Sequence, residues 1–75
     1  MARDLVRQCV QAQGEGADFP TIWHTLLKGH HLVAGIPRQR FEGSRSMLEI
    51  PLINGYCVVY DSDSRAFSLQ ITPTL

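Results

Sequence analysis

Residues 47–60, MLEIPLINGYCVVY, contain the clearest structural signal in this chain of 75 residues. They include two runs of strand-forming residues, and Asn54 and Gly55 lie between these runs. Asn-Gly between such runs is the strongest short-range signal for a β-hairpin. The stretch therefore predicts two antiparallel strands that are joined by a tight turn.

A third strand is predicted directly after this hairpin. Residues 61–65 are rich in Asp and Ser, which favour turns. Along residues 66–72, apolar and polar side chains then alternate, which is typical of a strand with one buried face and one solvated face. Pro73 would end this strand. The second half of the chain therefore predicts a three-stranded antiparallel β-meander over residues 47–72.

The first part of the chain predicts two short amphipathic helices. Apolar doublets spaced four residues apart indicate a helix over residues 3–13, and Gly14 follows it. The same spacing recurs after Asp18, a residue type favoured at helix N-caps, with Pro20 in the first turn. Neither helix is long enough to persist in isolation. We therefore expect a helical hairpin over about residues 3–29 that docks on the sheet.

The connector, residues 30–46, leaves two interpretations open for residues 36–41. They form either a short extra edge strand or part of a loop that crosses from the helices to the sheet. Pro51 favours the loop, because proline cannot donate to a ladder and is confined largely to edges and bulges. We therefore expect a single α+β domain over residues 1–75, with two N-terminal helices packed on a three-stranded antiparallel β-meander.

The length of the turn decides which side chains of residues 56–60 face the helices. A two-residue turn places Cys57 and Val59 on the same face as Ile50. A three-residue, bulged turn places Val58 and its alternate neighbours there instead. The sequence leaves both registers open. In either register, both faces of this strand are apolar.

Two short helices can cover only one face of the sheet, so the other face needs a different cover. Either residues 30–46 fold back over it, which gives a closed monomer, or a second chain packs there. We expect the second chain to be an identical copy in a two-fold homodimer, with an unidentified protein partner as the alternative. Tyrosines are enriched at such contacts. The expected interface residues are Ile53, Tyr56, Val58 and Tyr60.

Composition and charge exclude intrinsic disorder and argue against a dedicated nucleic-acid module. The chain is 44% hydrophobic and 19% charged, which is too apolar for intrinsic disorder, and its formal net charge is +0. Nucleic-acid modules are typically basic. A nucleic-acid-binding accessory protein that uses Arg38, Arg40 and Arg45 therefore remains only an alternative. A second alternative is a small-ligand-binding protein with a pocket near Trp23.

No arrangement in the sequence singles out a catalytic group or a cofactor site. The spacing of His24, His30 and His31 matches no Cys/His zinc pattern, and there is no glycine-rich phosphate loop. We therefore expect no enzymatic activity, no metal and no cofactor. If the chain had an active site, His24, His31 and Tyr60 would be the first candidates.

The sequence also bears on the cellular compartment. The N-terminus lacks the apolar core of a signal peptide, and no apolar run is long enough to span a membrane. Cys9 and Cys57 are expected to be buried, reduced thiols, which indicates a cytoplasmic protein. The sequence does not define a biochemical function. It predicts a small soluble protein-interaction module that self-associates through the apolar face of its sheet.

Overall fold

A computed structural model describes residues 2–71 and shows two helical segments followed by a four-stranded antiparallel sheet. This architecture confirms the predicted α+β class. The predicted end of the last strand, at residues 72 and 73, lies outside the described residues. The elements are α1 (Ala2–Gly14), α2 (Phe19–Ile22), a π-turn (Trp23–Leu27) that continues α2, and strands β1 (Arg38–Glu42), β2 (Arg45–Pro51), β3 (Tyr56–Asp61) and β4 (Ala66–Ile71).

The two helices begin where the sequence predicts. Helix α1 buries Leu5 and Cys9, which lie four residues apart on the same face. At the start of α2, the Asp18 carboxylate accepts a hydrogen bond from the Thr21 N–H at 3.0 Å, which confirms the predicted N-cap. Pro20 lies in the first turn, where its missing N–H leaves no bond unmade.

The second helix differs from the predicted regular α-helix in its last turn. The Lys28 N–H donates to the Trp23 carbonyl at 2.7 Å, an i→i+5 bond that defines the wider π geometry. Leu27 is fully buried, whereas Leu26 is only half-buried. Gly29 follows with a φ of +81°, a left-handed conformation that ends the helical segment at the predicted glycine. Within residues 2–71, neither helix is long and apolar enough to cross a membrane.

The sheet has one more strand than the favoured interpretation allowed. Residues 38–42, which we expected to lie in a loop, pair antiparallel with β2, and Arg38 lies opposite Glu49. Pro51 does not prevent this pairing, because β1 begins only at Arg38 and does not extend beside the proline. The Pro51 carbonyl instead accepts a hydrogen bond from the Ala34 N–H at 2.8 Å. The strand count is therefore four, and the alternative with an extra edge strand is correct.

The β2–β3 hairpin has the three-residue turn. The Leu52 N–H donates to the Tyr56 carbonyl at 2.8 Å, and Gly55 in the turn between them has a φ of +75°. A three-residue loop with a left-handed glycine is a common hairpin geometry. The resulting register places Ile50 opposite Val58. Of the two registers that the sequence left open, the structure has the second.

The sheet separates a main core from a smaller apolar cluster. The smaller cluster consists of Met47, Cys57 and Val59 on the face away from the helices. Cys9 and Cys57 are therefore buried on opposite sides of the sheet and are not joined by a disulfide, as predicted. The main core lies between the helices and the sheet and comprises Leu5, Cys9, Ile22, Leu27, Leu32, Ile50, Leu52, Val58 and Phe67.

The buried position of Cys9 makes its reactivity a measure of how firmly α1 is docked. In a Cys57→Ala variant, Cys9 is the only thiol. Burial raises the pKa of Cys9 to about 11, and the thiolate is the reactive form. At about pH 8 we expect an aromatic disulfide reagent to react about 100-fold more slowly with the folded protein than with the urea-unfolded chain. Equal reaction rates in the two states would contradict the docking of α1.

Candidate interaction surface

The structure does not show the bare apolar face that we expected on β3. Cys57 and Val59, on the face away from the helices, are only 3% and 2% exposed. They cluster with Met47 on this face, and the side chains of Arg38, Glu49 and Pro51 lie around Cys57. Arg40 of β1 reaches across the face, and its Nη2 lies 3.6 Å from the Met47 sulfur. The connector segment thus contributes to this cover, as in the closed-monomer interpretation, but as a strand beside β2.

Two of the four expected interface residues are used inside the chain. Val58 is fully buried in the main core and is inaccessible to a second chain. The Tyr60 ring packs against Phe19 with ring centroids 4.9 Å apart and against Phe67 at 4.8 Å. This aromatic group holds the start of α2 on β3 and β4. Tyr60 therefore contributes mainly to intramolecular packing.

The other two expected residues, Ile53 and Tyr56, are exposed, and a third exposed apolar residue lies next to Tyr56. Ile71 of β4 is directly opposite Tyr56 of β3, so their side chains share one face. The three residues are 55%, 38% and 75% exposed, in the order Ile53, Tyr56, Ile71. We call these three residues the Ile71 patch. The sequence does not single out Ile71, because alternation along residues 66–72 predicts a buried face but not which of its side chains remain exposed.

A cleft of about 320 Å³ borders the Ile71 patch. Trp23, which we expected near a ligand pocket, does not line this cleft and packs against the main core instead. The structure therefore separates the only tryptophan from the cleft. The cleft is lined by Ala2, Arg3, Leu32, Leu52, Ile53, Asn54, Tyr56 and Leu69.

Carboxylates neutralise two of the three arginines of the nucleic-acid alternative. Arg40 lies 2.5 Å from Glu49 and 3.2 Å from Glu42, measured between side-chain nitrogen and oxygen atoms. Arg45 forms an ion pair with Asp61. Arg38 is exposed on the edge strand. Because guanidinium groups held by carboxylates have few donors left for phosphate, this arrangement does not favour nucleic-acid binding.

Asp61 has a structural role at the end of β3. Burial acts to raise its pKa, but the N–H groups of Asp63 and Ser64 and the Arg45 guanidinium together lower it below its ordinary value. The two N–H groups donate to the carboxylate at 2.9 Å and 3.4 Å. The charged side chain therefore organises the β3–β4 turn, as Asp does in many turns.

The histidines do not form a site with one another. The Leu32 N–H donates to His30 Nδ1 at 3.1 Å, and the His30 ring stacks on His31 with centroids 4.6 Å apart. Burial, and then the nearby His31, hold the pKa of His30 below its ordinary value. His24 is exposed on the π-turn. Among residues 2–71, no three His, Cys, Asp or Glu side chains are grouped as a metal would require.

The two edge strands of the sheet differ in charge. Strand β1 carries Arg38, Arg40 and Glu42 within five residues, and charges on an edge strand oppose pairing with another sheet. Strand β4, at the other edge, contains no charged residue and no proline. Because β4 ends at Ile71, its uncharged edge is continuous with the Ile71 patch.

Comparisons with known proteins add no family or functional class to this description. No protein-family model, no curated protein and no solved structure matches the chain. The Ile71 patch and the edge of β4 are therefore the features from which a function can be inferred.

Proposed function

We propose that this protein is a small protein-interaction module that self-associates, and that two copies meet at the Ile71 patch and the edge of β4. The observation that carries the proposal is the continuity of this surface. Ile71 is the last residue of an edge strand that has no charge to repel another strand, Tyr56 lies directly opposite it on β3, and Ile53 lies in the turn before Tyr56. Contiguous exposed apolar surface of this kind marks interaction sites.

The size and charge of the chain support the same proposal. A domain of 75 residues buries a small core, so contact with another chain would add appreciably to its stability. Its formal net charge is +0, so long-range repulsion does not keep two copies apart. These properties favour association with an identical copy.

The proposal assigns no catalytic role and no cofactor to the chain. It includes a cytoplasmic location, which two buried cysteines that are not joined by a disulfide support. The proposed interface is the Ile71 patch and not the surface around Val58 that the sequence suggested. Ile53 and Tyr56 belong to both.

Light scattering over a range of protein concentrations tests the proposal. We expect the molar mass to rise from that of the 8.4 kDa monomer to about twice that value as concentration increases. Ile71→Asp is expected to remain monomeric at concentrations where the unmodified protein is dimeric, because the contact would bury an unpaired carboxylate.

The matched control is Ile36→Asp. Ile36 is 73% exposed, about as much as Ile71, but it lies in the connector before β1 and outside the patch. This variant is expected to dimerise normally. A monomeric mass for the unmodified protein up to about 1 mM, or normal dimerisation of Ile71→Asp, would contradict the proposal.

A further inference from the structure

The backbone of β4 presents three residues with outward-facing hydrogen-bonding groups. These groups point to alternate sides along a strand. The Tyr56 carbonyl faces β2, where it accepts from the Leu52 N–H, so the polar groups of Cys57 face β4. Cys57 lies opposite Gln70, whose polar groups therefore face β3. The backbone groups that point away from the sheet are those of Phe67, Leu69 and Ile71.

The side chains of β4 also alternate, between an apolar face and a polar face. Those of Phe67, Leu69 and Ile71 are apolar and lie on the helix side of the sheet, as their register with β3 shows. Ser68 and Gln70 project from the opposite face and are exposed. Within the described part of the chain, no loop or side chain hydrogen-bonds to the outward groups. As far as residues 2–71 are concerned, this edge is unpaired, and it is apolar on one face and polar without charge on the other.

We propose that two copies pair through their β4 strands, antiparallel and about a two-fold axis at Leu69, which joins the two sheets into one of eight strands. This inference rests on the self-association proposed above and specifies its geometry. In this register Leu69 lies opposite the partner's Leu69, and Phe67 opposite the partner's Ile71. On the other face, Ser68 lies opposite the partner's Gln70. Apolar side chains meet apolar ones, and polar side chains meet polar ones.

The position of the axis follows from the outward-facing groups. Leu69 is the middle one of the three outward-facing residues, so an axis there lets all three pair, and each pair exchanges two N–H···O bonds. An axis at Phe67 or at Ile71 would leave part of the edge unpaired. The Ile71 side chain, 75% exposed in the single chain, would be covered by the partner's Phe67.

The match of apolar with apolar and polar with polar side chains favours a second copy as the partner, and the charge difference between the two edges explains why assembly stops at two. Pairing β4 with β1 of another copy would leave two edges open and generate a filament. The charges of Arg38, Arg40 and Glu42 on β1 oppose that arrangement. Pairing β4 with itself is isologous and leaves only the charged β1 edges exposed, so the assembly closes as a dimer.

Charge placement at positions 68 and 70 tests this register. The double variant Ser68→Lys, Gln70→Lys puts like charges opposite each other at two places across the contact. The double variant Ser68→Lys, Gln70→Glu puts opposite charges at the same two places. Both positions are exposed in the single chain, so both variants are expected to fold. At low salt we expect the dimer of the Lys/Lys variant to dissociate about tenfold more readily than that of the Lys/Glu variant.

The outcomes separate this geometry from self-association in general. Equal dimer dissociation constants for the two variants would overturn the β4 pairing, while dimerisation of the unmodified protein that Ile71→Asp abolishes would leave the proposed function standing. A monomeric unmodified protein would overturn both. A second measurement needs no variant: hydrogen exchange of the Leu69 amide is expected to slow as the concentration rises through the dimerisation range. Fast exchange of that amide in the dimer would contradict the pairing.

Discussion

Val58→Asp is expected to abolish the folded state. Val58 is fully buried. It lies in the middle of the helix side of the sheet, opposite Ile50 on β2 and Leu69 on β4. An unpaired carboxylate in such a position costs several kcal/mol, on the order of the whole stability of a small domain. Far-UV circular dichroism and urea unfolding should show the loss of native signal and of the cooperative transition.

The control for this prediction is the same kind of substitution at an exposed isoleucine. Ile36→Asp is expected to unfold within about 0.5 kcal/mol of the unmodified protein, because Ile36 is 73% exposed. A Val58→Asp protein with a normal unfolding transition would contradict the three-residue turn, since the other register would turn Val58 away from the helices. The unfolding of Val58→Asp therefore tests the β2–β3 register, which determines the face of the sheet on which each side chain of β3 lies.

Leu27→Ala is expected to lower the free energy of unfolding by about 3 kcal/mol, and Leu26→Ala by about 1 kcal/mol or less. Leu27 is fully buried, whereas Leu26 is half-buried. In a regular α-helix, Leu26 would lie below the buried Ile22, because residues four apart share a face. The i→i+5 bond of the π-turn widens the helix and brings Leu27 into the core instead.

Urea unfolding of the two leucine variants, measured side by side, checks this prediction. The two substitutions remove the same atoms from adjacent residues, so their difference reports on burial alone. A larger loss for Leu26→Ala would indicate that the second helix is a regular α-helix. Either variant should retain the far-UV signal of the fold at low urea, because α1 and the sheet do not depend on this one contact.

The proposed interface connects the fold to its function through the unequal edges of the sheet. The edge formed by β1 carries Arg40, whose guanidinium is held by Glu42 and Glu49. The edge formed by β4 has no such groups and ends in the exposed Ile71. A small domain with one charged edge strand and one uncharged edge strand can form a dimer through the uncharged edge. The charged edges then oppose the addition of further copies.

The sequence predicted part of the interaction surface and missed the rest for a definable reason. Tyr56 is expected at an interface because tyrosines are enriched at protein contacts, which is a property of the residue type, and the structure leaves Tyr56 and Ile53 exposed. Val58 was assigned to the surface because both faces of β3 are apolar, and the sequence did not show which of them the helices cover. Ile71 was overlooked because its exposure depends on how far its neighbours extend. The ion pair between Arg45 and Asp61 joins residues sixteen positions apart, so it exists only in the folded register.

Local sequence signals were sufficient to predict both helices and the β2–β3 hairpin. The four-residue apolar spacing specified α1, Asp18 specified the start of α2, and Asn54 with Gly55 specified the hairpin. These signals act within a few residues, where backbone sterics and side-chain capping decide the conformation.

The fourth strand, the hairpin register and the burial of the second face depend on contacts between distant parts of the chain. Pro51 illustrates the reason. Whether a proline interrupts a sheet depends on whether a neighbouring strand needs its missing donor, and that neighbour comes from residues far away in the sequence. Here β1 begins opposite Glu49 and does not run beside Pro51, so the proline and a fourth strand coexist. Which side chains cover a face of the sheet, and which strands pair, depend on residues that are far apart in the sequence. No local pattern encodes these contacts.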